Sequence, residues 1–245
     1  MSIIEVKELC KTYGESSAIV TALNSINLSI EKGQFVTVMG PSGCGKSTLL
    51  HLIGGLDRPT SGSVFIDGKD ISKMKDDALT ELRRRQMGFV FQFFNLIPVL
   101  SAEENAALPL ILDGIKPDIA RSRAAKWLEL NQMGDRLTHR PDQLSGGQQQ
   151  RVAIARAMVS EPLMLLADEP TGNLDSRSSD EIASLLRQAV TEWGQTVLMV
   201  THDPRIAAYA DRIVFLKDGR VVDDTLLESG KTENTRILKE KVDQL

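Results

Sequence analysis

The sequence predicts an α/β fold whose central sheet is mostly parallel. Three observations carry that expectation. Residues 35–39, 163–167 and 196–201 are short runs without a charged side chain, as expected of strands buried on both faces. Segments of helical pattern alternate with them. The first of these runs turns into a helix through a glycine-rich loop.

Along the chain, the segment carrying Ile3, Glu5, Lys7 and Leu9 is a short β-rich run, as are residues 26–30 and 35–39. Residues 64–67 and 89–91 read as further strands. A helix is expected from about Gly45, with Leu49, Leu50 and Ile53 at helical spacing. Residues 101–133 are helical in pattern, with interruptions that include Pro109 and Pro117. A long helix is expected over 145–159, a buried strand over 163–167, a helix over 176–193 and a buried strand over 196–201. Residues 213–216 and 220–222 form a hairpin around Lys217-Asp218-Gly219, because Asp-Gly suits a tight turn. Residues 231–245 are charged, with apolar positions at Ile237, Leu238, Val242 and Leu245 only, and are expected to form a short surface helix.

The 245 residues suit one large α/β domain or two small ones, and 42% hydrophobic content allows a substantial core. A net charge of -4 is a poor match for duplex DNA, so nucleic acid is not an expected partner. The basic run Arg83-Arg84-Arg85 reads as a solvated helix end. No stretch approaches the ~18–20 apolar residues that span a bilayer, and the first residues lack the pattern of a secretory signal. Cys10 and Cys44 make no disulfide framework, so a reducing cytosol is the expected compartment.

Gly40-Pro41-Ser42-Gly43-Cys44-Gly45-Lys46-Ser47 satisfies the pattern G-x-x-x-x-G-K-[ST] between a strand and a helix. Glycines let successive backbone N–H groups face phosphates, and the helix start adds partial positive charge. Lys46 can reach β- and γ-phosphates, and the Ser47 hydroxyl can coordinate Mg²⁺. The strand–loop–helix context argues against a merely glycine-rich turn. Cys44 lies beside Lys46 at the helix start, two features that favour its thiolate.

The apolar run 163–167 ends in Asp168-Glu169, at the end of a strand where open α/β sheets bind ligands. Asp168 is a candidate Mg²⁺ ligand, directly or through a water. Glu169 is the candidate base that polarises an attacking water. His202 follows the run 196–201, placed to hydrogen-bond a γ-phosphate and hold that water. Each alone reads as the polar start of a loop; the phosphate loop gives them weight.

Leu144-Ser145-Gly146-Gly147-Gln148 opens the helix over 145–159. Ser145 is a good N-cap. The glycines leave backbone N–H groups open, which makes a second anion site. A capped helix after a glycine turn explains Ser145, but not the second glycine or the glutamine.

The phosphate loop, this signature, the acid pair and His202 occur in an order that resembles the nucleotide-binding subunits of ATP-binding-cassette (ABC) transporters, over residues 2 to about 224. The resemblance implies a P-loop, RecA-like core over 1–91 and 141–224 with a mixed sheet and an N-terminal antiparallel β subdomain. It implies a helical subdomain inserted at about 92–140 and a tail over 225–245. ATP and Mg²⁺ are the implied cofactors. Tyr13 matches the aromatic that stacks on adenine. Gln92 matches the glutamine that links Mg²⁺ to the membrane partner. Asn173-Leu174-Asp175 matches the loop that crosses the dimer interface. The implied ATP-binding set is therefore Tyr13, Gly40, Pro41, Ser42, Gly43, Cys44, Gly45, Lys46, Ser47, Thr48, Gln92, Ser145, Gly146, Gly147, Gln148 and Asp175. Ser47, Gln92 and Asp168 belong to the metal, and Glu169, His202 and Lys46 to catalysis.

Members of the family pack head to tail, with each ATP between the phosphate loop of one subunit and the signature of the other. The expected partners are thus a second copy of the chain and an integral membrane permease, with a periplasmic adaptor reached through the permease. The expected location is cytoplasmic, peripheral on the inner face of the cell membrane. The stretches 54–62, 89–98 and 166–175 are similar to the branch that contains the lipoprotein-release and macrolide-exporter ATPases. The acidic Leu100-Ser101-Ala102-Glu103-Glu104-Asn105 departs from that pattern near the partner-facing region. Phe93 and Phe94, adjacent in a chain with 4% aromatics, predict one core side chain and one exposed anchor for the permease. The alternatives are an importer ATPase, a soluble ABC ATPase acting on DNA or ribosomes, and a kinase-like phosphotransferase. A soluble ABC ATPase of that kind would carry a long coiled-coil or zinc insertion, or a second cassette. A phosphotransferase would not need the signature.

Overall fold

The computed structural model describes residues 2–14, 19–227 and 231–243. Two sheets organise them. In the first, β1 (Ser2–Tyr13) and β2 (Val20–Glu31) form a long antiparallel ribbon. On its other edge β1 pairs with β4 (Ser61–Ile66), which pairs with β5 (Lys69–Asp70), in the order β2-β1-β4-β5. The register shifts between Val6 and Leu9, where Glu8 takes a φ of 47°, as at a bulge.

The second sheet has six strands: β3 (Phe35–Met39), β6 (Met87–Phe91), β7 (Met164–Asp168), β8 (Thr196–Val200), β9 (Arg212–Lys217) and β10 (Arg220–Leu226). Their order is β10-β9-β3-β8-β7-β6. All neighbours are parallel except β9 and β10. That pair is the hairpin, turned by Asp218 at φ 48° and Gly219 at φ 71°, two left-handed residues in succession.

Alternate residues of the central strands feed two cores. Val36, Val38, Leu166 and Leu198 face α1 (Lys46–Ile53) and the antiparallel sheet, whose Ile4, Leu9, Ile26 and Ile30 are buried there. Phe35, Met39, Leu165 and Met199 face the other way, onto α5 (Gly146–Met158), α6 (Ser176–Thr191) and the short α7 (Pro204–Ala207). A third, smaller cluster joins α5 to α3 (Ala102–Leu112) and α4 (Pro117–Leu130). It is rich in buried alanines (102, 106, 107, 120 and 124), whose small side chains let the helices approach closely.

Three expectations need correction. The helix α2 (Asp76–Gln86) ends in Arg83-Arg84-Arg85, the expected helix end, but its extent was not legible in the sequence, because only Leu79 and Leu82 of it are buried and the apolar periodicity is faint. Pro109 lies inside α3 without breaking it, whereas Pro117 starts α4. The tail does form a helix, α8 (Lys231–Asp243), but one that is docked. Leu238 is fully buried in the second core, and the Lys241 ammonium meets Asp223 and Thr225.

Candidate functional site: the phosphate-loop cleft

The site begins where β3 ends. The chain wraps through residues 40–45 and enters α1 at Gly45, whose φ is 105°. A Cβ on Gly45 would lie 2.4 Å from the Ala22 carbonyl oxygen, and one on Gly40 would lie 2.0 Å from that of Leu216. Both contacts are with backbone, which cannot yield, so glycine is required at each. Lys46, the first residue of α1, is buried, and its ammonium donates back to the carbonyls of Gly40 at 2.8 Å and Pro41 at 2.9 Å. That holds the cation across the mouth of the loop.

Opposite stands the end of β7. Asp168 is aligned with Phe91 and Val200 in the neighbouring strands. Its Oδ1 accepts from Ser47 Oγ at 2.8 Å, and its Oδ2 lies 3.3 Å from His51 Nε2. That carboxylate holds His51 above the usual imidazole value, against the opposing effect of burial. His51 is a neighbour that the sequence reading missed. The available signal was its position four residues after Ser47, on the same face of α1.

Glu169 takes a left-handed φ of 45°, a strained conformation for a residue with a side chain, worth about 1–3 kcal/mol. Its N–H donates to the Val200 carbonyl at 3.0 Å, and its carbonyl accepts from Gly172 N–H at 3.0 Å, which fixes the strained backbone. The Glu169 carboxylate meets His202 Nδ1 at 3.1 Å through both oxygens.

Lys46, Glu169 and His202 share two adjoining clefts. One, of about 410 Å³, is lined by Gly40, Pro41, Ser42, Lys46, Glu169, His202, Met39 and Val242. The other, of about 360 Å³, adds Gly43, Gly45, Ser47, Thr48, Gln92 and Ala22. Gln92 is tied to Asn173 in both directions, its Nε2 to Asn173 Oδ1 at 3.2 Å and Asn173 Nδ2 to its carbonyl at 3.1 Å.

Tyr13 lies apart from the lining and is 43% exposed. Its hydroxyl donates to Asp57 at 2.9 Å, and the Lys11 ammonium sits 4.8 Å from its ring centroid. Burial and then Asp57 hold its phenol above the usual value.

Among the described residues that line the clefts, none belongs to the signature or is Asp175. Ser145 caps α5. Its Oγ accepts from Gln148 N–H at 3.3 Å, and Gln148 Oε1 accepts from Ser145 N–H at 2.9 Å. The glutamine that a simple cap leaves unexplained is therefore the return half of a capping box. The glycines are closely packed: a Cβ on Gly146 would meet Leu174 at 3.1 Å, and one on Gly147 would meet Ser178 Oγ at 3.1 Å, contacts that those side chains would have to shift to admit. Asp175 in turn caps α6, accepting from Ser178 N–H and Oγ, bonds that hold its carboxyl below the usual range.

Cys44 requires a correction. Its side chain is buried beneath the loop, and burial pushes the thiol up, with Lys46 only partly opposing. The sequence expectation of a favoured thiolate weighed the cation and the helix start but had no measure of desolvation.

The donor set fits Mg²⁺. A hydroxyl and a carboxylate oxygen lie side by side beside the cleft lined by the glycine loop and Lys46. Among the described residues no cluster of three or more His, Cys, Asp or Glu could cage a metal unaided. That matches an ion which prefers one or two protein oxygens plus phosphate oxygens.

A parallel sheet, a glycine loop at the end of β3 and an acid pair at the end of β7 define a P-loop nucleoside-triphosphatase. Its family is more specific. Residues 23–172 match the family model described as ABC transporter, and the chain belongs to that family. An uncharacterised ABC transporter ATP-binding protein of Methanocaldococcus jannaschii is 49% identical over 223 residues, 89% of this chain and 95% of that one. The lipoprotein-releasing system ATP-binding protein LolD of Geobacter metallireducens is 48% identical, over 91% of this chain and 99% of its own length. The macrolide export ATP-binding/permease protein MacB of Brucella melitensis is 47% identical over 91% of this chain, which spans 34% of that longer protein. A solved dimeric ATP-binding cassette in a post-hydrolysis state, bound to ADP and Pi, superposes with a TM-score of 0.85 at 46% identity. The match covers 92% of this chain and 99% of that one.

Proposed function

We propose that this chain is the ATP-hydrolysing subunit of an ABC transporter, working as a head-to-tail homodimer on a separate membrane permease. One observation carries the reading. Phosphate-loop residues, Glu169 and His202 line the two adjoining clefts, whereas Ser145, Gly146, Gly147 and Gln148 line neither, the two glycines packing against Leu174 and Ser178. A signature that caps its own helix, outside its own cleft, completes a nucleotide site only in a second copy.

In this reading the backbone N–H groups of residues 42–48, the start of α1 and Lys46 bind the β- and γ-phosphates. Ser47, Asp168 and Gln92 hold Mg²⁺, which neutralises charge on the phosphate oxygens. Tyr13 receives adenine on the ring face away from Lys11. Glu169 orients and polarises the attacking water, with its carboxylate positioned by His202. His202 also reaches the γ-phosphate. Ser145, Gly146, Gly147 and Gln148 of the partner copy close over the triphosphate, with Asp175 in the interface beside them.

LolD- and MacB-type relatives favour an export or lipoprotein-release system, with an extracytoplasmic adaptor reached through the permease. An ABC importer is the second reading. Among the described residues no helix is long and apolar enough to cross a membrane, which suits a peripheral subunit at the inner face. The permease docks beside the apolar cleft of about 540 Å³ lined by Leu56, Met87, Phe89, Phe91, Leu108 and Leu112. Phe91 and Asn95 line this cleft, and between them in sequence Phe93 is 70% exposed while Phe94 packs near Gly146.

Glu169→Gln tests the chemistry. It keeps shape and hydrogen bonding but removes the base and one negative charge. Hydrolysis should vanish with ATP binding intact, and size-exclusion with ATP should show a stable dimer. Substantial residual turnover would falsify the assignment.

A further inference from the structure

Ser47 and His51 are four residues apart on α1, so their side chains leave the same face one turn apart. Both reach one carboxylate. Ser47 Oγ donates to Asp168 Oδ1 at 2.8 Å, and His51 Nε2 lies 3.3 Å from Asp168 Oδ2. The helix that presents them is firmly seated, because Leu49, Leu50, Leu52 and Ile53 are all buried. The Asp168 backbone is fixed as well, between β6 and β8. The remaining freedom of Asp168 is rotation of its side chain, and a contact to each oxygen removes it.

We infer that His51 is a positioning residue for the metal centre: it holds the outer oxygen of Asp168, so that the oxygen beside Ser47 is presented to a divalent cation. The inference rests on the proposed reading of Ser47 and Asp168 as metal ligands. His51 does not line either cleft, so it acts through Asp168 and not on the nucleotide. The contact needs a proton on Nε2, which a neutral imidazole supplies. Outer partners of this kind orient a ligand before the metal arrives, and their loss shows first in metal affinity. Half of the clamp is then the recognised phosphate-loop serine. The other half is a residue one turn further on, outside the phosphate-loop pattern.

The test uses the full chain with a non-hydrolysable ATP analogue bound and Mn²⁺ as the probe, its free fraction read by electron paramagnetic resonance. His51→Ala should weaken Mn²⁺ binding by roughly tenfold or more. Analogue affinity in EDTA should be unchanged, because no phosphate contact is lost. His51→Gln, whose amide nitrogen can take the place of Nε2, should restore most of the Mn²⁺ affinity. Asp168→Asn is the control that separates the two claims. If it loses Mn²⁺ while folded His51→Ala binds like the unaltered protein, the positioning role is overturned and the metal site stands. If Asp168→Asn also binds normally, the metal-site reading falls and takes the His51 inference with it. Equal losses in His51→Ala and His51→Gln would also overturn the inference, since the hydrogen bond to Asp168 would then not be what matters.

Discussion

Cys44 shows how one residue's chemistry depends on a few ångströms of packing. Its neighbours in sequence, Lys46 and a helix start, argue for a reactive thiolate. Its Sγ instead lies under the phosphate loop, so close to Gly40 that a Cβ there would meet it at 2.8 Å. Burial raises the thiol's pKa, and a thiol that stays protonated is a poor nucleophile. Maleimide should therefore modify Cys44 slowly with or without MgATP, and more slowly than the half-buried Cys10. Peptide mapping after timed labelling checks this, and nucleotide-protected, rapid labelling of Cys44 would refute it. The neighbouring glycines were legible, because a motif names them. The direction of a side chain inside that loop was not, since it follows from what packs beneath.

At the scale of elements, α5 and the segment 91–95 carry the most functional weight. The helix start at Ser145 was visible from residue type, and Gln148 completes a capping box whose loss costs ~0.5–2 kcal/mol in general. A local device thus explains residues that also mark the family, and both roles are compatible: the cap engages the Gln148 N–H, not those of Gly146 and Gly147. The segment after β6 behaves differently. Arg156 donates to the carbonyls of Phe94 at 2.9 Å and Asn95 at 2.5 Å, pinning that loop to α5. Phe93 is left in solvent beside an apolar cleft. Aspartate at Phe93 should abolish co-purification with the permease from detergent extracts, while circular dichroism and ATP binding stay normal. Retained co-purification by a folded Phe93→Asp chain would move the docking surface elsewhere. Only the end of α2, at Arg83-Arg84-Arg85, was legible in the sequence, because two buried leucines do not make a periodic face that would mark its length.

For the whole molecule, the central question is where the helix start at Ser145, the proposed second phosphate site, finds its anion. Among the described residues, the proposed catalytic groups Lys46, Glu169 and His202 converge on the clefts beside α1. Ser145→Arg should abolish hydrolysis yet leave the nucleotide affinity of a monomer unchanged. Mixing it with Lys46→Ala should restore one intact composite site, formed by the phosphate loop of the first variant and the signature of the second. Recovered ATP-dependent association of the mixture, with neither variant associating alone, is the expected result. Loss of monomer binding in Ser145→Arg would place the signature in its own chain's site.

The residues proposed to carry phosphate chemistry were picked out from the sequence alone, because the demands of that chemistry are local. A loop that curls around phosphates needs glycine at fixed offsets, and a strand end needs its carboxylates at the next positions. The central strands were equally legible, since burial on both faces excludes charge over a short run. Tertiary structure decided the rest. It seats His51 against Asp168 and aims His202 at Glu169, residues separated by 117 and 33 positions. It buries the Cys44 thiol and docks α8 through Leu238. Each of these depends on which surfaces meet across the sheet. No local pattern encodes that, because contact, desolvation and alignment arise only when distant segments pack together.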